Sequence, residues 1–338
     1  SPMSRGLGDV YKRQVYSYSI YNTLDWKNIS WYIEYAGKTK DAYRSSRDSI
    51  VNASGTSINP LFQNTGSIIY TNMTYSKKGF GVTAQYRRVE NYSLRTSPNE
   101  ILLNGVLNYL PALTRQNTLR LLSRYNAVTQ ELSEQTVQLD VIYTPKKGYT
   151  LNGNFSNVTD LDGELFFREA YLDLKIKRSS PGKNDKRGRG WSLLIGGQFT
   201  QYNQEVLEVK PNVPLVEAIT PFTEFTWKFD RKKSLRMELQ YQINEQDFGD
   251  WAYGLIEFNL APHFSISAED MWNVDPKKEI NGEVKALHYY KFAASYSHKA
   301  TRFSLSYGRT VEGIVCTGGV CRFEPAFSGM KFGISSSF

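Results

Sequence analysis

The chain has 338 residues, a formal net charge of +8, 40% apolar and 22% charged residues, and 14% aromatics led by 23 Tyr. No apolar run reaches the ~18 residues that a membrane-crossing helix needs, which excludes a bundle of membrane helices. The aromatic content excludes a disordered chain, and no Pro/Gly/Ser-rich linker divides the sequence, so one large β-rich domain is expected.

Residues 1–14, SPMSRGLGDVYKRQ, have neither an apolar core nor a small-residue cleavage site and are not a signal peptide. They resemble translated adapter sequence and are set aside from fold reasoning. A signal peptide and at least one strand are therefore expected upstream of this chain.

From Val15 the sequence alternates with period two, the mark of strands that bury one face. Strands are predicted near 15–25, 28–37, 67–76, 80–91, 135–145, 149–157, 167–177, 191–203, 222–230, 235–246, 250–260, 264–274, 286–298, 301–312 and 327–338. In 28–36, Ile29, Trp31, Ile33 and Tyr35 oppose Ser30, Tyr32 and Glu34. In 80–88, Phe80, Val82, Ala84 and Tyr86 oppose Gly81, Thr83, Gln85 and Arg87. Val137, Leu139 and Val141 oppose Gln138 and Asp140, and Leu172, Leu174 and Ile176 oppose Asp173 and Lys175. Leu235, Met237 and Leu239 oppose Arg236 and Glu238, and Phe303 and Leu305 oppose Arg302 and Ser304.

Short turns at 77–79, 145–148, 231–234, 261–263 and 299–300 alternate with longer connections at 38–66, 92–134, 158–166, 204–220, 275–285 and 313–326. Lys and Arg gather in the short turns, as at Lys77-Lys78 and Arg231-Lys232-Lys233, and acids gather in the long ones. Solvated turns account for this; so does a barrel rim that meets anionic headgroups. Most segments run 9–12 residues, the length of a tilted membrane-crossing strand. The expected fold is an all-β, transmembrane, antiparallel up-and-down β-barrel over 15–338. Its odd strand list implies one more strand upstream and about sixteen in the intact protein, since bacterial single-chain barrels have even counts. A strand pair hidden in 92–134 would raise that by two.

Segment 98–124 does not alternate. Ile101, Leu102, Val106, Leu107, Leu110, Leu113, Leu119 and Leu122 read as partly helical, broken at Pro111, with Ser97 as cap and Glu100 three residues on. Two readings stand: an outer loop packed on itself, and a loop folded into the lumen as a constriction or plug.

The C-terminus supplies the most specific motif. Met330, Phe332, Ile334 and Phe338 alternate with polar or small residues up to the last position, the pattern read by the barrel-assembly machinery. Trp26, Tyr75, Tyr143, Tyr149, Trp191, Phe229, Trp251, Phe264 and Trp272 lie near strand ends, as interfacial girdles would; ordinary β propensity also places them there. The mid-strand charges Glu34, Arg87, Asp140, Asp173, Lys175, Glu224, Lys228, Arg236, Glu238, Glu257, Glu269, Lys291 and Arg302 are lumen candidates. They read either as a salt-bridge network that hydrates the interior or as a selectivity surface for a polar solute. Cys316 and Cys321 form one nearby pair without further ligands, which excludes a zinc site and suits a loop disulfide in an oxidising compartment.

No catalytic residues, metal ligands or cofactor are expected. There are three histidines, His263, His288 and His298, and a Ser-His-acid site drawn through His288 with Asp270 or Asp275 is one of many accidental trios. No Gly-rich phosphate loop or paired Cys-x-x-Cys is present. Asp48-Ser49-Ile50 matches a short O-glycosylation pattern.

LDWKNISWYIEYAGKT (24–39), TYSKKGFGVTAQYRR (74–88), LNYLPALTRQ (107–116) and GIVCTGGVCRFEPAFSG (313–329) resemble an uncharacterised family of Bacteroidota outer-membrane proteins, a domain of unknown function. The resemblance implies a barrel and a location but no substrate. The resulting expectation is a non-enzymatic barrel in the outer membrane of a Gram-negative bacterium, with lipid and the assembly machinery as partners and no nucleic acid. It would be a passive channel or binding protein for an unidentified small polar solute. The alternatives are a non-conducting accessory component of an envelope assembly and, remotely, a barrel hydrolase.

Overall fold

A computed structural model describes residues 14–44, 50–51, 57–58, 61–97, 105–108, 110–131, 133–179, 188–277, 286–310, 313–317 and 320–337. One antiparallel sheet of fifteen strands dominates it, each strand paired with its neighbours in chain order. These are β1 (Ser17–Trp26), β2 (Ile29–Arg44), β3 (Leu61–Lys77), β4 (Phe80–Glu90), β5 (Ser133–Lys146), β6 (Tyr149–Thr159), β7 (Leu165–Ser179), β8 (Gly190–Tyr202), β9 (Val216–Lys228), β10 (Lys233–Asn244), β11 (Gly249–Leu260), β12 (Phe264–Pro276), β13 (Lys291–His298), β14 (Thr301–Thr310) and β15 (Phe327–Ser336). Up-and-down order follows from the alternation of tight turns and long connections, since a two- to four-residue turn joins only antiparallel neighbours. At Gly148 the turn has φ +89°, and a Cβ would stand 2.5 Å from the Lys177 carbonyl oxygen, so the position needs glycine. β1 and β15 are the sheet edges, and among the described residues they do not pair with each other.

All fifteen predicted strands are present, and four of them have a boundary displaced by more than two residues. β2 and β3 continue beyond the expected limits as a long hairpin that passes a bulge between Lys38 and Asp41. β9 begins at Val216 rather than 222, because Val216, Ala218 and Thr220 keep the alternation through what reads as a loop. Pro221 disguises this: it has no N–H, and the β9–β10 pairing skips from Ile219 to Phe222. β13 starts at Lys291, but backbone bonds between Tyr289 and Met271, and between Leu287 and Asn273, carry its ladder toward the predicted start.

The connection before β9 holds a one-turn helix, α1 (Gln204–Leu207), capped by the Asn203 side chain. The helix expected within 98–124 is absent from its described part, where residues 119–124 make a single turn closed by Ser123 N–H to the Leu119 carbonyl. The proposed helix start at Pro98–Glu100, Asp48-Ser49, residues 1–13 and Phe338 lie outside the described residues. No further strand pair occurs within 92–134 among the described residues, where one isolated bridge joins Arg95 to Val106.

The two sheet faces have inverted polarity. Leu239, Ile256 and Phe332 are 62%, 58% and 69% exposed. On the opposite face Thr136, Ser156, Glu169 and Gln242 are buried. Stacked soluble sheets would press their apolar rows together; here a single sheet turns those rows outward. The polar face is covered by the β4–β5 connection, which touches strands from β1, where the Tyr92 hydroxyl meets Ser17 Oγ at 2.5 Å, to β12, where Leu121 packs in one cluster with Met271. The sheet curls around this segment, and the polar face is its inside. In β7 the outward set Ala170, Leu172, Leu174 and Ile176 is bounded by Arg168 and Arg178. That interval is about 34 Å along the strand, or about 25 Å across a membrane at a tilt near 40°.

Candidate functional site

The candidate site is the inner face together with the connection that fills it. Arg87 and Glu134, on the facing ends of β4 and β5, form its root: the guanidinium bonds Glu134 Oε1 at 2.8 Å, Thr129 Oγ1 at 3.0 Å and the Pro111 carbonyl at 2.6 Å. Glu134 Oε2 accepts the Gln130 N–H at 2.6 Å. One buried ion pair thus holds both arms of the connection. On β2, Lys38 donates to the Ser93 carbonyl at 2.7 Å and pairs with Asp41 at 3.3 Å.

The innermost turn is held by wall amides. Gln240 accepts the Leu121 N–H at 2.7 Å, and Gln242 donates to the Leu121 carbonyl at 3.1 Å. Leu121 packs with Trp251, Tyr253, Leu255 and Met271, and Leu119 and Leu122 pack with Tyr171 and Phe222. Tyr125 and Ala127 join Val158, Phe167, Tyr202 and Val216. Burial pushes the Tyr125 hydroxyl up to about 12, so it remains a proton donor toward Asp247 at 3.2 Å while accepting from Asn244 at 2.8 Å. Arg124 lies 4.3 Å from the Trp251 ring centroid. Trp251, one of the aromatics that the girdle reading included, is buried inside because it shares the inward register of Tyr253 and Leu255. Its place near a strand end says nothing about its face.

The strand register sets the mid-strand charges on the same inner face, and they gather in separate groups. Arg236 bonds Glu224 at 2.8 Å and Glu238, and stands 3.8 Å from Glu257. Lys291 pairs with Glu269 at 3.4 Å, and Glu269 also accepts the Tyr253 hydroxyl at 2.9 Å. Glu34 accepts from Tyr32 at 2.6 Å. Asp140 accepts from Asn154 at 2.6 Å, and Asp173 from Asn152 at 2.9 Å and Tyr171 at 2.6 Å. Lys175, Lys228 and Arg302 make no ion pair among the described residues; Arg302 donates to Ser295 Oγ at 3.1 Å.

Sequence reading missed Glu134, Glu169, Arg115 and Arg124. Glu134 and Glu169 sit on predicted strands or at their ends, and the inward parity of Gln138 and Asp173 would have found both. The two arginines lie where no period exists to assign a face. Arg115 stacks 3.3 Å from the Tyr171 ring centroid and donates to Asn117 at 2.6 Å. Asn117 in turn donates to Glu169 at 3.0 Å.

His288 Nδ1 lies 2.7 Å from Asp270 Oδ2, and its ring stacks on Trp272 at 5.4 Å. This pair belongs to the outward register, away from the inner face. In the loop hairpin 313–317/320–324, Cys316 and Cys321 are direct backbone partners. No cluster able to hold a metal occurs among the described residues.

A family model described as a family of unknown function (DUF6029) matches residues 6–338. No curated protein matches the chain. Among solved structures, Pseudomonas aeruginosa OccK8 (OprE) is 8% identical with a TM-score of 0.48, over 95% of this chain and 91% of that one. Acinetobacter baumannii OccAB1 is 10% identical with a TM-score of 0.47, over 87% and 84%. At such identities and scores the likeness carries no functional argument.

Proposed function

Since the chain belongs to the DUF6029 family, whose function is unknown, we propose its role from its two faces: a non-enzymatic outer-membrane channel for a small polar solute, narrowed from within by residues 110–131. The observation that carries this reading is the inverted polarity, with apolar side chains exposed along the outside of the sheet and amides, hydroxyls and charges inside. No described helix is long and apolar enough to cross a membrane. In lipid, strands are stable where their backbone groups pair with neighbouring strands, as in the barrels of outer membranes. The inner charges then form the selectivity surface. Met330, Phe332 and Ile334, on the exposed face of edge strand β15, serve as the signal for the assembly machinery.

The test is ion conductance of the purified full chain in a planar bilayer. Discrete current steps are expected. A folded protein that inserts but stays silent overturns the channel in favour of a non-conducting envelope component. The burial of Leu119, Leu121 and Leu122 in the lumen is the observation that favours this second reading.

We also propose that Cys316 and Cys321 form a disulfide clasping the loop hairpin, since directly opposed residues of an antiparallel pair stand about 4.5–5.5 Å apart at Cα, within disulfide range. Thiol labelling of unreduced, denatured protein is expected to find no free thiol; stoichiometric labelling at both positions would exclude the bond.

A further inference from the structure

Along β3–β6 the wall borders a half-open cavity of about 430 Å³, within the ~300–1,000 Å³ range of small-molecule sites. Its lining is mixed: polar side chains come from Thr74 and Thr83 on β3 and β4, Asp140 on β5, Asn152 and Asn154 on β6 and Arg115 of the connection, and apolar surface from residues such as Val82, Ile142 and Tyr171. Arg115 and Asp140 carry opposite charges and face the same space, yet they form no ion pair with each other or with any other described residue.

Each is held where it stands. The guanidinium of Arg115 stands 3.3 Å from the Tyr171 ring centroid and donates one N–H to Asn117, which leaves further donors of its five for a ligand. Asp140 is fixed by one amide donor, Asn154, to Oδ1, which leaves Oδ2 open. Two flexible charges left to themselves would close on each other. Two charges pinned apart by stacking and amide bonds present a fixed gap, with donors on one side and acceptors on the other. That preorganisation favours a molecule that spans the gap.

We propose that this cavity binds a small zwitterion, an amino acid or short peptide, with its carboxylate on Arg115 and its ammonium on Asp140. Thr83, Asn152 and Asn154 supply the neutral hydrogen bonds between the two ends. A simple anion leaves Asp140 unanswered, a simple cation leaves Arg115 unanswered, and a neutral sugar answers neither. The inference rests on the channel reading only in that the solute reaches the cavity through the lumen, and binding is measured without conduction.

The experiment is isothermal titration of the purified full chain in detergent with glycylglycine, acetate, methylammonium and glucose. Saturable binding of glycylglycine is expected, about tenfold or more tighter than either single-charge probe, with none for glucose. Arg115→Gln and Asp140→Asn are each expected to weaken it about tenfold or more, while far-UV circular dichroism stays that of the parent. Arg115→Lys, which keeps the charge but loses the planar fork, is expected to fall between. The proposal is overturned by no glycylglycine heat from folded protein, by acetate binding equally well with Asp140→Asn unaffected, or by glucose binding equally well. Conduction without glycylglycine binding sinks this site alone, whereas binding by an electrically silent protein sinks the channel alone.

Discussion

Replacing residues 94–130 by a short Gly/Ser linker is expected to raise single-channel conductance several-fold. Glu90 and Ser133 are directly paired residues at the ends of β4 and β5, so a linker of about four to six residues can join them without moving either strand. The deleted segment removes Leu119, Leu121, Leu122 and Tyr125 from the space enclosed by β6–β12 and frees Gln240, Gln242 and Asn244 for water. Arg87 and Glu134 still face each other and still neutralise one another. An unchanged current from a shortened protein with parental circular dichroism would mean that the ions take a path the connection does not border. A protein silent both before and after the deletion would leave only the envelope-component reading.

The second large effect separates a lipid-facing surface from a water-facing one. Leu239 is the central outward residue of β10, 62% exposed, with Thr223 and Gly254 as its neighbours across the ladder. At the midplane of a bilayer, Leu239→Arg is expected to cost about 2–4 kcal/mol, because a guanidinium replaces an apolar side chain in hydrocarbon. On a soluble sheet an exposed position with no special contact changes stability by only about 0.5 kcal/mol either way. Ser304→Arg, exposed on the inner face of β14, is the matched control and is expected to be nearly neutral. Denaturant titration of both variants refolded into phosphatidylcholine vesicles reads the difference. Equal stability for the two would show that the exposed apolar rows do not face lipid.

How far the sequence could be read depended on how many contacts each conclusion needed. A strand in a sheet with one apolar face writes its own period, so Leu235, Met237 and Leu239 against Arg236 and Glu238 sufficed to place β10 and both of its faces. The same parity sets Asp140, Asp173 and Glu257 on one side. It failed at β9, where Pro221 looked like a loop although it occupies the strand with a local gap in the ladder. At Trp251 neither the girdle reading nor plain β propensity assigned a face, although the register does. Arg115 lay beyond it altogether, since it sits in a segment without a period and the ring it stacks on, Tyr171, comes from a distant strand.

The amino-acid sequence alone therefore determined the strands, their up-and-down order and which side chains share a face, because period two and turn length are local properties that each segment carries within itself. Only the tertiary structure decided that residues 110–131 lie inside the curled sheet, that Arg87 and Glu134 root them, and that Arg115 and Asp140 line one cavity. Those contacts join residues tens of positions apart. Their energy depends on which surfaces the closed space leaves available, and no periodic pattern along the chain encodes that.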